Sequence, residues 1–108
     1  MAPLVSNEIR QQQSLAMIHD LDNIITRLNS TKMNLLTSMT DLLSFGSTLD
    51  PDSPEMKQIE RRRQMLAAYE KQVDAEIEQY KNKRKIAEAQ LQDSTQKVDK
   101  AAESFAKS

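Results

Sequence analysis

The sequence predicts an all-α fold, in which two long helices form an antiparallel, coiled-coil-like hairpin with an extended C-terminal helix. Three observations predict it. Apolar residues recur three and four positions apart in two long segments. Neither segment contains proline or glycine, and Gly46, Pro51 and Pro54 cluster in the break between them. Because a short loop between two amphipathic helices folds them back on each other, we expect one hairpin domain over residues 1–108.

The first predicted helix spans about residues 6–45 and carries an apolar stripe. Its seam, which has Lys32 as its one polar member, comprises Ile18, Leu21, Ile25, Leu28, Lys32, Leu35, Met39 and Leu42. Four further apolar residues widen the stripe: Met17, Ile24, Leu36 and Leu43. Residues 11–14 place polar groups on every helix face. We therefore expect the stretch before residue 15 to be frayed, or ordered only by a partner.

The predicted turn, residues 46–54, has the chemistry of a helix end followed by a helix start. Gly46 suits a left-handed residue that closes the first helix, since no Cβ opposes a positive φ. Ser53 can accept from a free N–H group of the next helix, and Pro54 is preset for the first helical position. Pro51 lies between Gly46 and Ser53 and, with Pro54, brackets the chain reversal.

The second predicted helix spans about residues 55–106 and continues the heptad pattern. Its seam comprises Ile59, Arg63, Leu66, Glu70, Val73, Ile77, Tyr80, Arg84, Ala87, Leu91, Ser94, Val98, Ala101 and Phe105. With the apex near Asp50, residue 6 lies opposite roughly residue 94, so about a dozen C-terminal residues lack a partner within the monomer. Unpaired heptad positions predict an interface between subunits, formed by Leu91, Val98, Ala101, Ala102 and Phe105. The alternative is a frayed C-terminal tail.

The composition excludes most catalytic chemistry. The 108 residues include no cysteine, one glycine and one histidine, which excludes thiol chemistry and glycine-rich phosphate loops. His19 lies near Asp22 on the predicted helix, but no third metal ligand follows at a suitable spacing. We therefore predict no enzyme activity, no catalytic residue, no cofactor site and no metal site.

Basic residues in the second helix predict contacts with protein. Arg62, Lys81, Lys83 and Arg84 stand among many acidic residues, and no aromatic side chains are arrayed to stack bases. The chain up to Pro54 has three basic and six acidic residues, and the remainder has twelve and ten. Nucleic-acid binding is therefore not expected. We predict that these basic residues meet acidic residues of neighbouring subunits or face a lumen.

The N-terminal residues lack the basic and apolar regions of a cleaved signal peptide, and no apolar run is long enough to cross a membrane. We therefore expect the chain to be made in the cytoplasm, with any export to the cell surface or beyond depending on a dedicated secretion system.

The hairpin and its Pro51-Asp52-Ser53-Pro54 turn resemble the needle and filament subunits of bacterial type III secretion systems. The resemblance implies a small subunit that stacks into a hollow polymer, partnered by itself and by a secretion chaperone or apparatus protein. The tryptophan-bearing N-terminal stretch of that family is missing here.

Two alternatives stay open. Small secreted hairpins with a Trp-x-Gly turn have a similar length, but neither that turn nor their tyrosine-based tail signal occurs here. A cytosolic coiled-coil adaptor or secretion chaperone would have the same heptad pattern, and would form a complex with another protein instead of a polymer.

Overall fold

The computed structural model describes the backbone of residues 2–107 and the side chains from residue 5 onward; Met1 and Ser108 lie outside the described part. Helix α1 spans Ala2–Gly46 and helix α2 spans Pro54–Lys107. The predicted all-α hairpin is therefore confirmed, and the helix bounds lie within one residue of the prediction except at the start of α1. The chain divides into two compact units, the turn unit (residues 26–78) and the terminal unit (residues 1–25 with 79–108).

The turn unit holds an aliphatic core along the predicted seam. Leu35, Val73 and Ile77 are its buried residues, and Leu28 and Leu66 pack against them. These side chains come alternately from α1 and α2 at heptad spacing, so each helix buries one narrow stripe against the other. Among the described residues no large side chain is fully buried, as expected when two helices alone enclose the core.

The terminal unit has a more polar seam. Leu21 and Ala87 are its buried apolar residues, and Ser14 and Ser94 are buried as well. The expectation of a frayed stretch before residue 15 is wrong, because α1 is helical from Ala2. The heptad pattern continues toward the N-terminus in polar residues, with Asn7 half-buried ahead of the buried Ser14. A seam of small and polar side chains gives no hydrophobic signal in the sequence.

The start of α2 is capped as predicted. The Ser53 hydroxyl accepts a hydrogen bond from the Met56 N–H at 3.2 Å and donates one to the Asp50 carbonyl at 2.7 Å. Pro54 takes the first helical position, where its missing N–H costs no hydrogen bond. The Asp50 carboxylate accepts from the Asp52 N–H at 3.1 Å, so side-chain oxygens stabilise the reversal around Pro51.

Gly46 does not act as the left-handed cap that its position suggested. It is the last residue of α1, and its φ is not positive. Its lack of a side chain instead allows α2 to approach. A Cβ built on Gly46 would lie 3.2 Å from the Met56 sulfur and 3.4 Å from the Ile59 Cγ2. The glycine is therefore buried for packing, and the chain turns after it.

The register of the two helices differs from the prediction. In the terminal unit the Gln11 side-chain amide donates to the Thr95 hydroxyl at 3.2 Å, whereas the prediction placed residue 6 opposite residue 94. Residues 47–49 cause the difference, because their N–H groups bond back to the carbonyls of Leu43, Phe45 and Gly46 and prolong the path of α1. Since α1 extends from Gln11 back to Ala2, the predicted overhang of a dozen unpartnered residues is wrong.

Replacing Gly46 with alanine tests its role. Alanine favours a helix by about 1 kcal/mol over glycine, and the flexible end of Met56 needs to shift by only a few tenths of an ångström. We expect Gly46→Ala to unfold at or above the wild-type temperature in circular dichroism, and Gly46→Leu to unfold well below it. A lower melting temperature for Gly46→Ala would contradict the helical assignment and restore the left-handed cap.

Removing the Ser53 cap should destabilise the hairpin. Ser53→Ala leaves the Met56 N–H without its side-chain acceptor, and such losses cost about 1 kcal/mol. Urea unfolding of the variant should reveal that loss. Ser47→Ala is the matched control, because Ser47 is exposed and its hydroxyl only donates to the Ser44 carbonyl. Equal stability of the two variants would argue against the cap.

Candidate interaction surfaces

An arginine of the terminal unit is held within the hairpin. The Arg84 Nε donates to the Asp22 Oδ1 at 2.6 Å, and Arg84 also pairs with Glu88 on its own helix. Arg84 was predicted to face neighbouring subunits or a lumen, but it links α2 to α1 instead. A guanidinium held between two carboxylates is well positioned to fix the pairing of the helices.

The buried serines of the terminal unit form a polar layer near the ends of the chain. Ser14 is 6% exposed and Ser94 is 3% exposed, and the hydrogen bond between Gln11 and Thr95 lies next to them. These small side chains bury little apolar area, so they contribute less hydrophobic stabilisation than the leucines and isoleucines of the turn unit. We therefore expect the terminal unit to open more easily than the turn unit.

A second ion pair between the helices lies in the turn unit. The Lys32 Nζ is 2.7 Å from the Asp74 Oδ1. The hydrogen bond and the charge of Asp74 raise the pKa of Lys32 above its ordinary value of 10.5, and the charge of Glu70 adds to this effect. Lys32 is the polar member of the α1 seam, so this pair explains how a lysine is accommodated there.

The residues predicted as a subunit interface divide into two groups. Leu91, Val98 and Ala101 are half-buried within the terminal unit, whereas Ala102 and Phe105 are exposed. Phe105 occupies a predicted seam position, and 65% of its side chain is accessible. The outward part of the predicted interface is limited to the last two turns of α2.

The other predicted basic contacts remain on the surface. Arg62, Lys81 and Lys83 are exposed, and none of them forms an ion pair with another described residue. Lys83 lies 5.0 Å from the centre of the Tyr80 ring, which is within the range of a cation–π contact. These cations are therefore more accessible to a partner protein than Arg84, which is already paired with Asp22 and Glu88.

Several large apolar side chains of the turn unit lie outside the buried stripe. Leu36 and Leu43 widen the predicted stripe, but Leu43 is 54% exposed, and Met65 is 71% exposed. In the same unit Phe45 is 58% exposed and Tyr69 is 49% exposed. Heptad position could have indicated this exposure, because each of these residues lies one or more places off the seam that the buried residues define.

Within the described residues, no cluster of three or more potential metal ligands occurs, and no helix is long and apolar enough to span a membrane. His19, the one histidine, is exposed, and its Nε2 is 3.5 Å from the side-chain nitrogen of Asn23. Comparison with protein-family models, curated proteins and solved structures found no match to this chain.

The raised pKa of Lys32 predicts a specific pH dependence. Because the folded-state pKa exceeds the unfolded value, the stabilisation from charged Lys32 is fully present below about pH 10.5 and is lost as the pH rises through the folded-state pKa. We expect the difference in unfolding free energy between wild type and Lys32→Met to be largest near neutral pH and to shrink above about pH 10.5.

Urea unfolding at a series of pH values measures that difference. Lys71→Met is the control, since Lys71 is an exposed lysine of the same unit without an ion pair to another described residue. If the Lys32→Met difference were as small as that of Lys71→Met at every pH, the Lys32–Asp74 pair would contribute nothing to the fold.

Proposed function

We propose that the protein is a structural, non-catalytic subunit that self-assembles by helix–helix packing into a needle- or filament-like assembly of a bacterial secretion system. The observation that carries this proposal is the set of large apolar side chains that the hairpin leaves in contact with water. The turn unit leaves Phe45 and Met65 exposed, and the terminal unit leaves Ile86 and Phe105 exposed. Exposed apolar groups of this size favour association with another protein surface.

Assembly into a polymer needs more than one contact surface on each subunit. Exposed apolar residues occur in both units, so a subunit can use different surfaces toward different neighbours. Contacts between unlike surfaces repeat from copy to copy and generate rings or filaments. The secretion-system assignment is supported by the Pro51–Pro54 turn together with the two-helix architecture. In this proposal the chain is made in the cytoplasm and exported by the secretion apparatus.

A second candidate function is that of a coiled-coil adaptor or secretion chaperone. The observation that favours it is the polar layer at Ser14 and Ser94, where weak packing would let the helices separate and accept a partner helix. Such an adaptor would give a defined complex with a second protein. Affinity purification that recovers no stoichiometric partner would count against this candidate.

Negative-stain electron microscopy of the purified chain tests the polymer directly. We expect filaments, and we expect Ala102→Glu to abolish them, because it places a charge on the exposed C-terminal surface of α2. Ser104→Glu is the matched control: it adds the same charge within the same turn but on another face of the helix. Circular dichroism verifies that both variants remain helical.

The outcomes separate the two candidate functions. Filaments from wild type and Ser104→Glu, but not from Ala102→Glu, are the predicted result. Wild-type protein that forms only small discrete oligomers, or only monomers, would contradict the polymer.

A further inference from the structure

Three side chains of the turn unit form an evenly spaced row on α2, with opposite charges at its two ends. Arg62, Tyr69 and Glu76 are spaced seven residues apart, so they lie on one side of the helix two turns from each other. Arg62 and Glu76 are therefore about 21 Å apart along the axis, which prevents them from pairing with each other. Tyr69 lies midway, and nearly half of its side chain is exposed.

Neither charge of this row has an opposite charge at a pairing distance along its own helix. Arg62 has no acidic residue three or four positions away, and Glu76 has no basic residue at those positions. In the described part of the chain neither forms an ion pair, whereas Arg63 pairs with Glu60 and Asp74 pairs with Lys32. Arg62, which is exposed, and Glu76, which is half-buried, are thus left without an ion pair.

The surface beside the row can accept another helix closely. Met65 is 71% exposed, and Ala68, Gln72 and Ala75 are exposed on the same outward side of α2. Alanine side chains let two helix backbones approach, and methionine adapts its shape to an uneven partner. The outer face of α2, which we define as the row of three together with Met65, Ala68, Gln72 and Ala75, therefore combines apolar contact area with charges of both signs that have no ion pair.

We infer that this outer face binds the same face of a second copy of the chain in an antiparallel, two-fold symmetric pair. With Tyr69 near the axis, Arg62 of each copy meets Glu76 of the other. Parallel copies would instead place Arg62 beside Arg62 and Glu76 beside Glu76, which repel. Only the antiparallel arrangement makes the row complementary to itself.

Other exposed charges of α2 take no part in this pairing. Lys71 and Glu78 lie two and nine residues beyond Tyr69, which at 3.6 residues per turn places both on the opposite side of the helix.

The inference rests on the proposed function, since it names one of the surfaces through which a self-assembling subunit would act. The inference also extends the proposed function, because a two-fold symmetric pair is a closed contact that by itself stops at two copies. A filament would then be built from such pairs through other surfaces, among them the C-terminal turns of α2.

Charge reversal with mixing tests the pair. Arg62→Glu and Glu76→Arg each turn two attractive contacts into repulsive ones, and each should weaken self-association about tenfold or more. An equimolar mixture of the two variants restores both attractive contacts in a heterodimer. Sedimentation equilibrium below the concentration that gives filaments should therefore show the mixture associating at least as strongly as wild type.

Single cysteines test the geometry, because the natural chain contains no cysteine. Ala68→Cys lies near the proposed axis, so a short bismaleimide should link two copies. Ala75→Cys is the matched control: it is also an exposed alanine, seven residues further along, where the two thiols would be about 20 Å apart. Linking of Ala75→Cys that equals or exceeds that of Ala68→Cys would overturn the antiparallel register.

The outcomes also separate this inference from the proposed function. If filaments form but the mixed variants associate no better than either alone, the pairing is wrong and self-assembly stands. If the pair forms but filaments do not, the outer face binds a second copy and the polymer is wrong. A wild-type chain that stays monomeric up to its solubility limit would overturn both.

Discussion

The structure depends on one narrow seam between two helices. Each helix buries a single stripe, spaced by three and four residues, and each stripe is covered only by the other helix. In the turn unit Leu35, Val73 and Ile77 make this seam apolar, whereas Ser14 and Ser94 make it polar in the terminal unit. Because two helices have no third layer to cover their remaining faces, every other side chain meets solvent or a partner molecule.

This constraint explains where the charges and the exposed apolar groups lie. Lys32 and Arg84 occupy seam positions, and each is satisfied by an acidic residue of the opposite helix. Their ion pairs help to set the register without adding much to stability, since partly exposed pairs contribute little. Arg62 and Glu76 lie beside the seam and have no such partner, so they belong to the surface through which we propose that copies recognise each other.

Much of the fold follows from sequence patterns. Heptad spacing predicts the seam of α2 residue by residue from Ile59 to Ala101, and the Ser53–Pro54 pair predicts where that helix begins. The start of α1 escapes prediction because Gln11 and Ser14 occupy seam positions without an apolar signal. The register escapes it because residues 47–49 continue the path of α1 through backbone hydrogen bonds, which local composition does not reveal. Whether Arg62 has a partner depends on the neighbouring helix, so the row around Tyr69 becomes visible only in the folded hairpin.

The central claim is that a thin two-helix core is completed by neighbouring copies. Thermal unfolding, followed by circular dichroism across a wide range of protein concentrations, tests this claim most directly. Folded chains associate with each other and unfolded chains do not. We therefore expect Tm to rise steadily with protein concentration. A Tm that stays constant over the whole range would mean that the hairpin is stable alone, and would contradict the claim.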